Sequence, residues 1–409
     1  FDMGGTTAKA SVIVDGHFSM APEAEVGGGA ALGHRMVRGG GHVVQAPTID
    51  IAEVGAGGGS IAWLDAGGGF QVGPGSAGAA PGPACYGLGG ESATVTDANV
   101  LLGYLNPTRL VGGELALDIE AARHAVTELA RGLGQSPIDT AYGIHLIANA
   151  RMMRALSAVS SERGLEPARF PILGFGGNGG VHVAGLAESL GIERVIIPPS
   201  AGIFSALGLL FADAEHQSVR GHYKRLDGID LDALNQAFAQ LRDETCELLT
   251  ADGYAPTAQA LRYELEIKYV GQNGALSVAV QTLPIQSGAL PTLAEAFAHA
   301  HQTTFGYRSD QEPLQLVALR VIGRGIADSP RLPARIIART GRSEDGMRRK
   351  AYFGPEHGWL DTPVVGRHAL GAAMVSGPLV IEEYDSTTVV RPGWQARLDD
   401  WNNIVMDKT

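Results

Sequence analysis

The sequence predicts an α/β protein of two domains, and three features of the chain support this fold class. Residues 1–113 alternate short β-type runs with glycine-rich turns. In residues 114–215, helices are followed by two buried strands that each run into a glycine turn and a helix, a pattern typical of a parallel sheet. Residues 216–409 are β-rich with two helices, which predicts a separate α+β domain.

The composition indicates a folded protein and excludes some classes of partner. Of 409 residues, 45% are hydrophobic and 18% are charged, so most of the chain can be buried in cores. The net charge of −12 argues against binding to nucleic acid or to anionic membranes. No apolar run is long enough to span a bilayer, and two distant cysteines suit a reduced protein. We therefore expect a cytoplasmic location.

The first element, Asp2-Met3-Gly4-Gly5-Thr6-Thr7, has the chemistry of a hairpin that binds phosphate. Glycines allow backbone N–H groups to converge on an anion, the two threonines add donors, and Asp2 can hold a Mg²⁺-bound water. A short motif of this kind can also be a plain tight turn. Since only Phe1 precedes Asp2, we expect that a strand and a preceding lobe are missing from this chain.

Two further glycine segments are candidates for the site. Glycine makes up 57 of 409 residues, about twice its usual share of about 7%, and most of the excess lies before residue 115. The segment Gly55–Ser60 is either a second phosphate or substrate loop, or a bulged hairpin. The strand before Gly176 delivers a glycine turn into a helix, as nucleotide-binding α/β proteins do. His182 in that helix either contacts a ligand or hydrogen-bonds near the helix start.

Capping and helical spacing predict the main helices of the first domain. Thr96 or Asp97 caps a helix, Asp118 caps one that stops near Gly132, and Ser136-Pro137 starts a longer one that ends near Gly164. The small residues at 200–209 predict a helix suited to close packing. Cys85 lies in a rigid Pro/Gly loop and is interpreted as a buried thiol rather than a nucleophile.

With these residues in place, the sequence resembles the hydantoinase A and 5-oxoprolinase family, including related subunits of acetone-type carboxylases. The resemblance covers essentially the whole chain and is carried by the order of its segments: 2–9, 54–62, 73–78, 81–87, 94–99, 175–177 and 205–208. The chain departs from the family pattern at Asn178-Gly179-Gly180-Val181-His182, where Ala-Gly-Pro-Leu-His is expected. His182 still matches.

The resemblance implies a fold similar to the actin, sugar-kinase and heat-shock-chaperone ATPases, with MgATP as the cofactor. It implies that Asp2, Thr6 and Thr7 are catalytic, that Asp2 faces the metal, and that Gly4, Gly5, Thr6 and Thr7 contact the phosphates. Gly176 and Gly177 would lie near the nucleoside. The candidates for substrate contacts are Gly57, Gly58, Gly59, Ser60 and His182.

The implied activity is ATP-dependent ring opening of a lactam or cyclic imide, of the hydantoin or 5-oxoproline type. Phosphorylation of the carbonyl oxygen would activate a poor electrophile, and water would then open the ring. Two alternatives stay open: the ATP-using subunit of an acetone-type carboxylase, and a nucleotide-driven switch protein without substrate chemistry. We expect a larger hydantoinase B-type subunit as a partner, an oligomeric assembly, and no ATP turnover by residues 1–409 alone.

Overall fold

The computed structural model describes residues 1–21, 24–26, 42–44, 48–272, 274–327, 335–336 and 346–409. The α-helices in this part of the chain are α1 (Val95–Leu101), α2 (Ile119–Leu133), α3 (Pro137–Val159), α4 (Gly179–Leu190), α5 (Phe204–Phe211), α6 (Leu231–Ala251) and α7 (Leu290–Phe305). None of them combines the length and the hydropathy that a bilayer crossing needs.

The strands of the first half are β1 (Asp2–Met3), β2 (Ala8–Ala10), β3 (Ile13–Val14), β4 (His17–Phe18), β5 (Met20–Ala21), β6 (Ala24–Val26), β7 (His42–Val44), β8 (Thr48–Ile49), β9 (Ala52–Val54), β10 (Ser60–Leu64), β11 (Phe70–Ser76), β12 (Arg109–Leu110), β13 (Leu115–Ala116), β14 (Ile172–Leu173) and β15 (Arg194–Ile197). The second half contributes β16 (Glu215–Arg225), β17 (Gln259–Tyr269), β18 (Leu276–Val280), β19 (Leu314–Gly325), β20 (Met347–Tyr352), β21 (Trp359–Val365), β22 (Val375–Ser376), β23 (Leu379–Glu382), β24 (Thr387–Val390), β25 (Trp394–Leu398) and β26 (Ile404–Lys408).

The helix boundaries follow the caps in two cases and differ from our predictions in others. Asp118 caps α2 as predicted, and Ser136 caps α3 with Pro137 at its first position. Helix α3 ends at Val159, five residues before the predicted stop at Gly164, because a short 3₁₀ turn follows it. The prediction of close packing for α5 is wrong, since none of its residues is buried.

The sheet built on the two buried strands is mixed, so the prediction of a parallel sheet is only partly confirmed. Strands β14 and β15 pair in parallel, and β26, β25 and β22 extend the sheet in antiparallel register to a five-stranded order of β14-β15-β26-β25-β22. Three of its five strands thus come from the last 35 residues of the chain. The other large sheets have the orders β16-β19-β17-β18 and β20-β21-β23-β24.

The hydrophobic cores divide the chain differently from the boundary that we predicted at residue 215. One core joins residues between Phe1 and Ala201 with residues between Ala351 and Met406. A second core lies between α6, α7 and the sheet of β16–β19, and its buried members run from Leu234 to Val321. The last part of the chain therefore packs with the glycine-rich first part, where it can contribute to a site.

A buried ion pair fixes the segment after β23 against the end of β15. Arg367 Nε donates to Glu383 Oε1 at 2.6 Å, and its Nη2 donates to Glu383 Oε2 at 2.8 Å and to the carbonyl oxygen of Pro198 at 2.9 Å. The side chains of Arg367 and Glu383 are only 6% and 2% exposed. A bidentate pair of this kind, with further hydrogen bonds, holds two elements in one relative position.

The cap of α1 is Thr94, so the prediction of Thr96 or Asp97 at this position is wrong. The Thr94 hydroxyl accepts from the Asp97 backbone N–H at 3.3 Å, and the Asp97 carboxylate accepts from the Thr94 backbone N–H at 2.9 Å, which is a capping box. The same carboxylate accepts from the Cys85 backbone N–H at 2.8 Å. Cys85 is fully buried, as interpreted from the sequence, and burial, followed by the charge of Asp97, raises the pKa of its thiol.

We expect the Thr94→Ala variant to lower the free energy of unfolding by about 1 to 2 kcal/mol, because it removes the cap of α1 and one hydrogen bond to a buried carboxylate. Urea unfolding followed by circular dichroism measures this change. The exposed Thr108→Ala variant serves as the control, and equal stability of the two variants would contradict the capping role.

Candidate functional site

The predicted phosphate hairpin forms at the edge of a three-stranded sheet. Strand β1 pairs with β2 so that Asp2 faces Lys9 and Met3 faces Ala8, and the Gly4 backbone N–H donates to the Thr7 carbonyl oxygen at 3.1 Å. Met3 and Ala8 are fully buried and anchor the strands, whereas Gly5 and Thr6 are exposed at the tip. The hairpin therefore projects its loop toward solvent from a fixed base.

The tip of the hairpin carries free backbone donors. Among the residues that the structure describes, the N–H groups of Gly5, Thr6 and Thr7 donate to no backbone or side-chain acceptor. Three successive N–H groups without partners at an exposed loop form the kind of concave donor array that binds anions. The geometry is therefore suited to a phosphate group.

The glycine loop at residues 55–60 packs directly under this hairpin. The Gly58 N–H donates to the Gly4 carbonyl oxygen at 3.1 Å, and the Gly59 N–H donates to the Gly5 carbonyl oxygen at 2.6 Å. A Cβ atom on Gly57 would lie 2.6 Å from both the Gly5 carbonyl carbon and the Thr6 nitrogen. These glycines are needed for close contact between two backbones, and the loop is buried.

The third loop, residues 174–178, lies on the other side of β1. Phe175 forms a parallel bridge with Asp2, the Met3 N–H donates to the Phe175 carbonyl oxygen at 3.0 Å, and the Asn178 N–H donates to the Met3 carbonyl oxygen at 3.0 Å. Gly176 has a φ of +85°, and its own N–H donates to Ala201 at 2.8 Å. The three glycine segments singled out in the sequence thus meet at one place.

The glycines of the site fall into two groups that differ in what surrounds them. At four of them a Cβ atom would press on a neighbouring segment of the chain: Gly57, Gly58, Gly59 and Gly176. Around Gly4, Gly5 and Gly177 there is open space, with no atom closer than 3.9 Å to the position of a Cβ, and none of the three has a positive φ. Internal packing does not require glycine at these three positions, and the space beside them is open to a ligand.

Asp2 is the one carboxylate of the hairpin, and Ser205 Oγ donates to its Oδ2 atom at 2.9 Å. In the described part of the chain no group of three or more histidine, cysteine, aspartate or glutamate residues could hold a metal ion. Mg²⁺ needs no such cluster, since it is usually held by one or two carboxylates together with waters and substrate phosphates. The single carboxylate of Asp2 therefore suits a Mg²⁺ ion that binds together with a nucleotide better than a permanently bound metal ion.

Two of the candidates for substrate contacts, Ser60 and His182, are buried and already have hydrogen-bond partners. Ser60 is fully buried, and its Oγ accepts from the Gly57 N–H at 2.9 Å, which closes the turn of its own loop. His182 is also fully buried, and both of its ring nitrogens are within hydrogen-bonding distance of asparagine side chains. Ser60 belongs to the loop of Gly57, Gly58 and Gly59 that supports the exposed hairpin, whereas His182 lies in α4, which begins after the turn at Gly176.

His182 belongs to a closed ring of four buried side chains from three helices. Its Nδ1 lies 2.7 Å from Asn149 Oδ1, and its Nε2 lies 3.0 Å from Asn99 Nδ2. His145 Nδ1 lies 2.9 Å from Asn99 Oδ1, and its Nε2 lies 3.3 Å from Asn149 Nδ2. With the hydrogen of each neutral imidazole on Nδ1, every contact has one donor and one acceptor.

Burial keeps the two imidazoles of the ring neutral. Desolvation lowers the pKa of His182 to about 3. Desolvation, followed by the charges of His182 and Arg391, lowers the pKa of His145 well below its ordinary value. The two rings stack with their centroids 4.4 Å apart. The ring thus joins α1, α3 and α4. Two of these helices begin at the glycine loops, since the Thr96 N–H of α1 donates to the Gly58 carbonyl oxygen at 2.8 Å and α4 starts directly after Asn178.

A cleft of about 190 Å³ adjoins the exposed Gly177 and the side chain of Asn178. Its walls include residues 110–113 and residues 382–387, which our sequence reasoning did not single out. Their position beside the glycine loops depends on the fold of the last sixty residues, and no local pattern in the sequence signals it.

Comparison with known proteins gives two family matches. The family model described as "Hydantoinase/oxoprolinase" matches residues 1–218, and the one described as "Hydantoinase/oxoprolinase C-terminal domain" matches residues 228–408. The domain boundary at residue 215 stays a prediction.

Individual relatives agree with these matches. The caprolactamase subunit alpha of Pseudomonas jessenii is 36% identical over 405 residues, which are 97% of this chain and 56% of that protein. The crystal structure of ATP-dependent caprolactamase from the same organism superposes with a TM-score of 0.81 at 35% identity, over 100% of this chain and 58% of that one. A nucleotide-free acetone carboxylase structure gives a TM-score of 0.76 at 26% identity with the same coverage. The chain thus spans a little over half the length of these relatives.

Proposed function

Because the chain belongs to the hydantoinase/oxoprolinase family, we propose that it is the ATP-using part of an enzyme that hydrolyses a lactam or cyclic imide. In the proposed reaction ATP, the ring and two water molecules give ADP, phosphate and the ring-opened product. The observation that carries this proposal is the exposed hairpin tip, where the N–H groups of Gly5, Thr6 and Thr7 lie free beside the open space at Gly177.

The roles of the residues follow from this arrangement. The N–H groups of Gly5, Thr6 and Thr7, with the two threonine hydroxyls, hold and orient the phosphates, and Gly4 leaves room for them. Asp2 holds a water of the Mg²⁺ ion, in an orientation set by Ser205. Gly177 provides open space on the nucleoside side, while Gly176 allows the loop to approach β1. MgATP, when bound, supplies the phosphoryl group that activates the carbonyl oxygen.

The buried candidates take a supporting role in this proposal. The loop of Gly57, Gly58, Gly59 and Ser60 holds the hairpin tip in a fixed position, and His182 fixes the position of α4. We further propose that the ATP-binding part has the lobe architecture of the actin, sugar-kinase and heat-shock-chaperone ATPases. A larger hydantoinase B-type subunit is the proposed partner, and the name of the caprolactamase relative, which is one subunit of an enzyme, supports it.

Substrate-dependent ADP release tests the proposed function. The full gene product, co-expressed with a neighbouring large subunit, is mixed with MgATP and with caprolactam, 5-oxoproline, a hydantoin, or acetone plus bicarbonate. We expect stimulation of ADP release by at least one cyclic amide alone, together with formation of the ring-opened acid. Stimulation only by acetone plus bicarbonate would assign the chain to the carboxylases, and ADP release that no substrate changes would favour a nucleotide-driven switch.

A further inference from the structure

The N–H groups at the tip of the hairpin point outward because the carbonyl groups of the same peptides are held inward. A trans peptide directs its C=O and its N–H in opposite directions. The Gly4 carbonyl oxygen accepts from the buried Gly58 N–H at 3.1 Å, so the Gly5 N–H faces away from that loop. The Gly5 carbonyl oxygen accepts from the Gly59 N–H at 2.6 Å, which turns the Thr6 N–H outward in the same way. The orientation of these donors thus depends on what holds the two carbonyl groups.

One side chain, that of Asn178, contacts the first of these carbonyl groups. Its Nδ2 group donates to the Gly4 carbonyl oxygen at 3.3 Å in a partly buried contact. The same side chain packs on the Gly58 backbone so closely that a Cβ atom on Gly58 would lie 2.5 Å from Nδ2. The absence of a side chain at Gly58 therefore leaves room for Asn178, and both residues donate to the same oxygen atom.

Asn178 is the N-cap residue of α4, but its side chain does not cap the helix. An asparagine at an N-cap usually accepts from the backbone N–H groups of the first helical turn. Here no such hydrogen bond forms, and the amide group is directed to the hairpin instead. The sequence also departs from the expected family pattern at this residue, where alanine is expected. Alanine has no side-chain donor and could not make this contact.

The backbone around Asn178 and Gly58 is held in place by its own hydrogen bonds. The Asn178 N–H donates to the Met3 carbonyl oxygen at 3.0 Å. The Gly58 carbonyl oxygen accepts from the Thr96 hydroxyl at 2.9 Å, as well as from the Thr96 N–H. Thr96 lies in α1 and Asn178 precedes α4, and the buried ring of asparagine and histidine side chains joins these two helices. The two donors to Gly4 are therefore fixed before a ligand binds.

We propose that Asn178 is a positioning residue for the phosphates: together with Gly58 it fixes the peptide between Gly4 and Gly5, so that the Gly5 N–H is directed toward the anion. This inference rests on the proposed function, because that function assigns the phosphates to the hairpin tip. A donor that is already oriented loses no freedom when the anion binds, so it contributes more to affinity than a mobile donor. Asn178 acts through the backbone of the hairpin rather than by its own contact with the ligand.

Calorimetry on the full gene product with ATP, inorganic triphosphate and adenosine tests the proposal. In Asn178→Ala we expect the dissociation constants for ATP and triphosphate to rise about 5-fold, which corresponds to the loss of one neutral hydrogen bond. The dissociation constant for adenosine should stay unchanged. Asn178→Asp has the same shape, but its carboxylate cannot donate to the Gly4 carbonyl oxygen and repels phosphate. ATP and triphosphate binding should therefore weaken by at least the same factor in this variant.

Asn235→Ala is the matched control for a loss of stability. Asn235 Nδ2 donates to the Ile285 carbonyl oxygen at 3.0 Å, and Ile285 belongs to the second hydrophobic core. The variant therefore breaks the same kind of hydrogen bond, from a side-chain amide to a backbone carbonyl group, in the other core of the protein. We expect a lower melting temperature and no change in the three dissociation constants.

The outcomes separate this proposal from the proposed function. If Asn178→Ala binds ATP and triphosphate as tightly as the wild-type protein, the phosphates remain assigned to the hairpin and the role of Asn178 is overturned. If adenosine binding weakens by the same factor as ATP binding, Asn178 acts on the adjoining cleft or on the fold, and its positioning role is again overturned. A wild-type protein that binds neither ATP nor triphosphate would overturn the proposed function and this inference together.

Discussion

Replacement of Gly5 with valine is expected to lower ATP-dependent turnover by about 100-fold or more, with the melting temperature unchanged. The structure has no atom within 4 Å of a Cβ at this position, and Gly5 does not have a positive φ, so the fold accepts a side chain there. The valine would occupy the space above the free N–H groups of Gly5, Thr6 and Thr7. Loss of preorganised donors to a transition-state anion costs about 10² to 10³ in rate.

Two other glycines provide matched controls for this variant. Gly228 is exposed and also has open space around it, so Gly228→Val should change neither turnover nor stability. Gly57 lies on the buried side of the same hairpin, and Gly57→Ala should lower the free energy of unfolding by about 1 to 3 kcal/mol, because the new Cβ would press on the Gly5 and Thr6 backbone. ADP release and thermal melts measure both effects. Normal turnover in Gly5→Val would show that the hairpin tip does not hold the phosphates.

The parts of this site that sequence predicts are those whose chemistry is local. The hairpin at Asp2–Thr7 follows from its glycines and hydroxyls, and the turn at Gly176 follows from the strand before it and the helix after it. Helices α2 and α3 follow from their caps at Asp118 and Ser136. Each of these features depends on residues within a few positions of one another, so a short segment of the sequence is sufficient to predict it.

The features that sequence did not predict depend on residues brought together by tertiary packing. Strand β26 inserts between β15 and β25, and this pairing joins residues about 210 positions apart, at Arg194 and Asp407. An isolated strand shows no sign of its partner, because parallel and antiparallel neighbours can use the same apolar run. The wall of the cleft at Tyr384–Thr387 depends on that insertion and on the Arg367–Glu383 pair.

The glycines of the site show the same limit of prediction from sequence. The sequence predicts that glycine-rich loops are present, but it does not distinguish the surroundings of Gly5 from those of Gly57. In the structure, Gly57 is buried against another backbone and Gly5 faces open space. What surrounds a glycine decides whether it supports the fold or makes room for a ligand, and this surrounding is a property of the folded chain.

The second large effect is expected on acidification, through the ring of Asn99, His145, Asn149 and His182. Because burial lowers the pKa of His182 to about 3, the folded protein binds fewer protons than the unfolded chain between pH 6.5 and pH 3. This contribution to the free energy of unfolding is therefore fully present above pH 6.5 and is lost as the pH falls. For His182 the loss is on the order of 2 kcal/mol at pH 5, and His145, whose pKa burial also lowers, adds to it in the same direction.

Urea unfolding between pH 7.5 and pH 5 measures this slope, and two variants assign it. In His182→Gln one titrating imidazole is removed, so the pH dependence should become smaller although the protein is less stable at neutral pH. His124 is exposed on α2, and His124→Gln should leave the slope unchanged. A stability that stays constant from pH 7.5 to pH 5 would mean that the imidazoles reach water or other acceptors when charged. In that case the ring would not hold α1, α3 and α4 rigidly behind the hairpin.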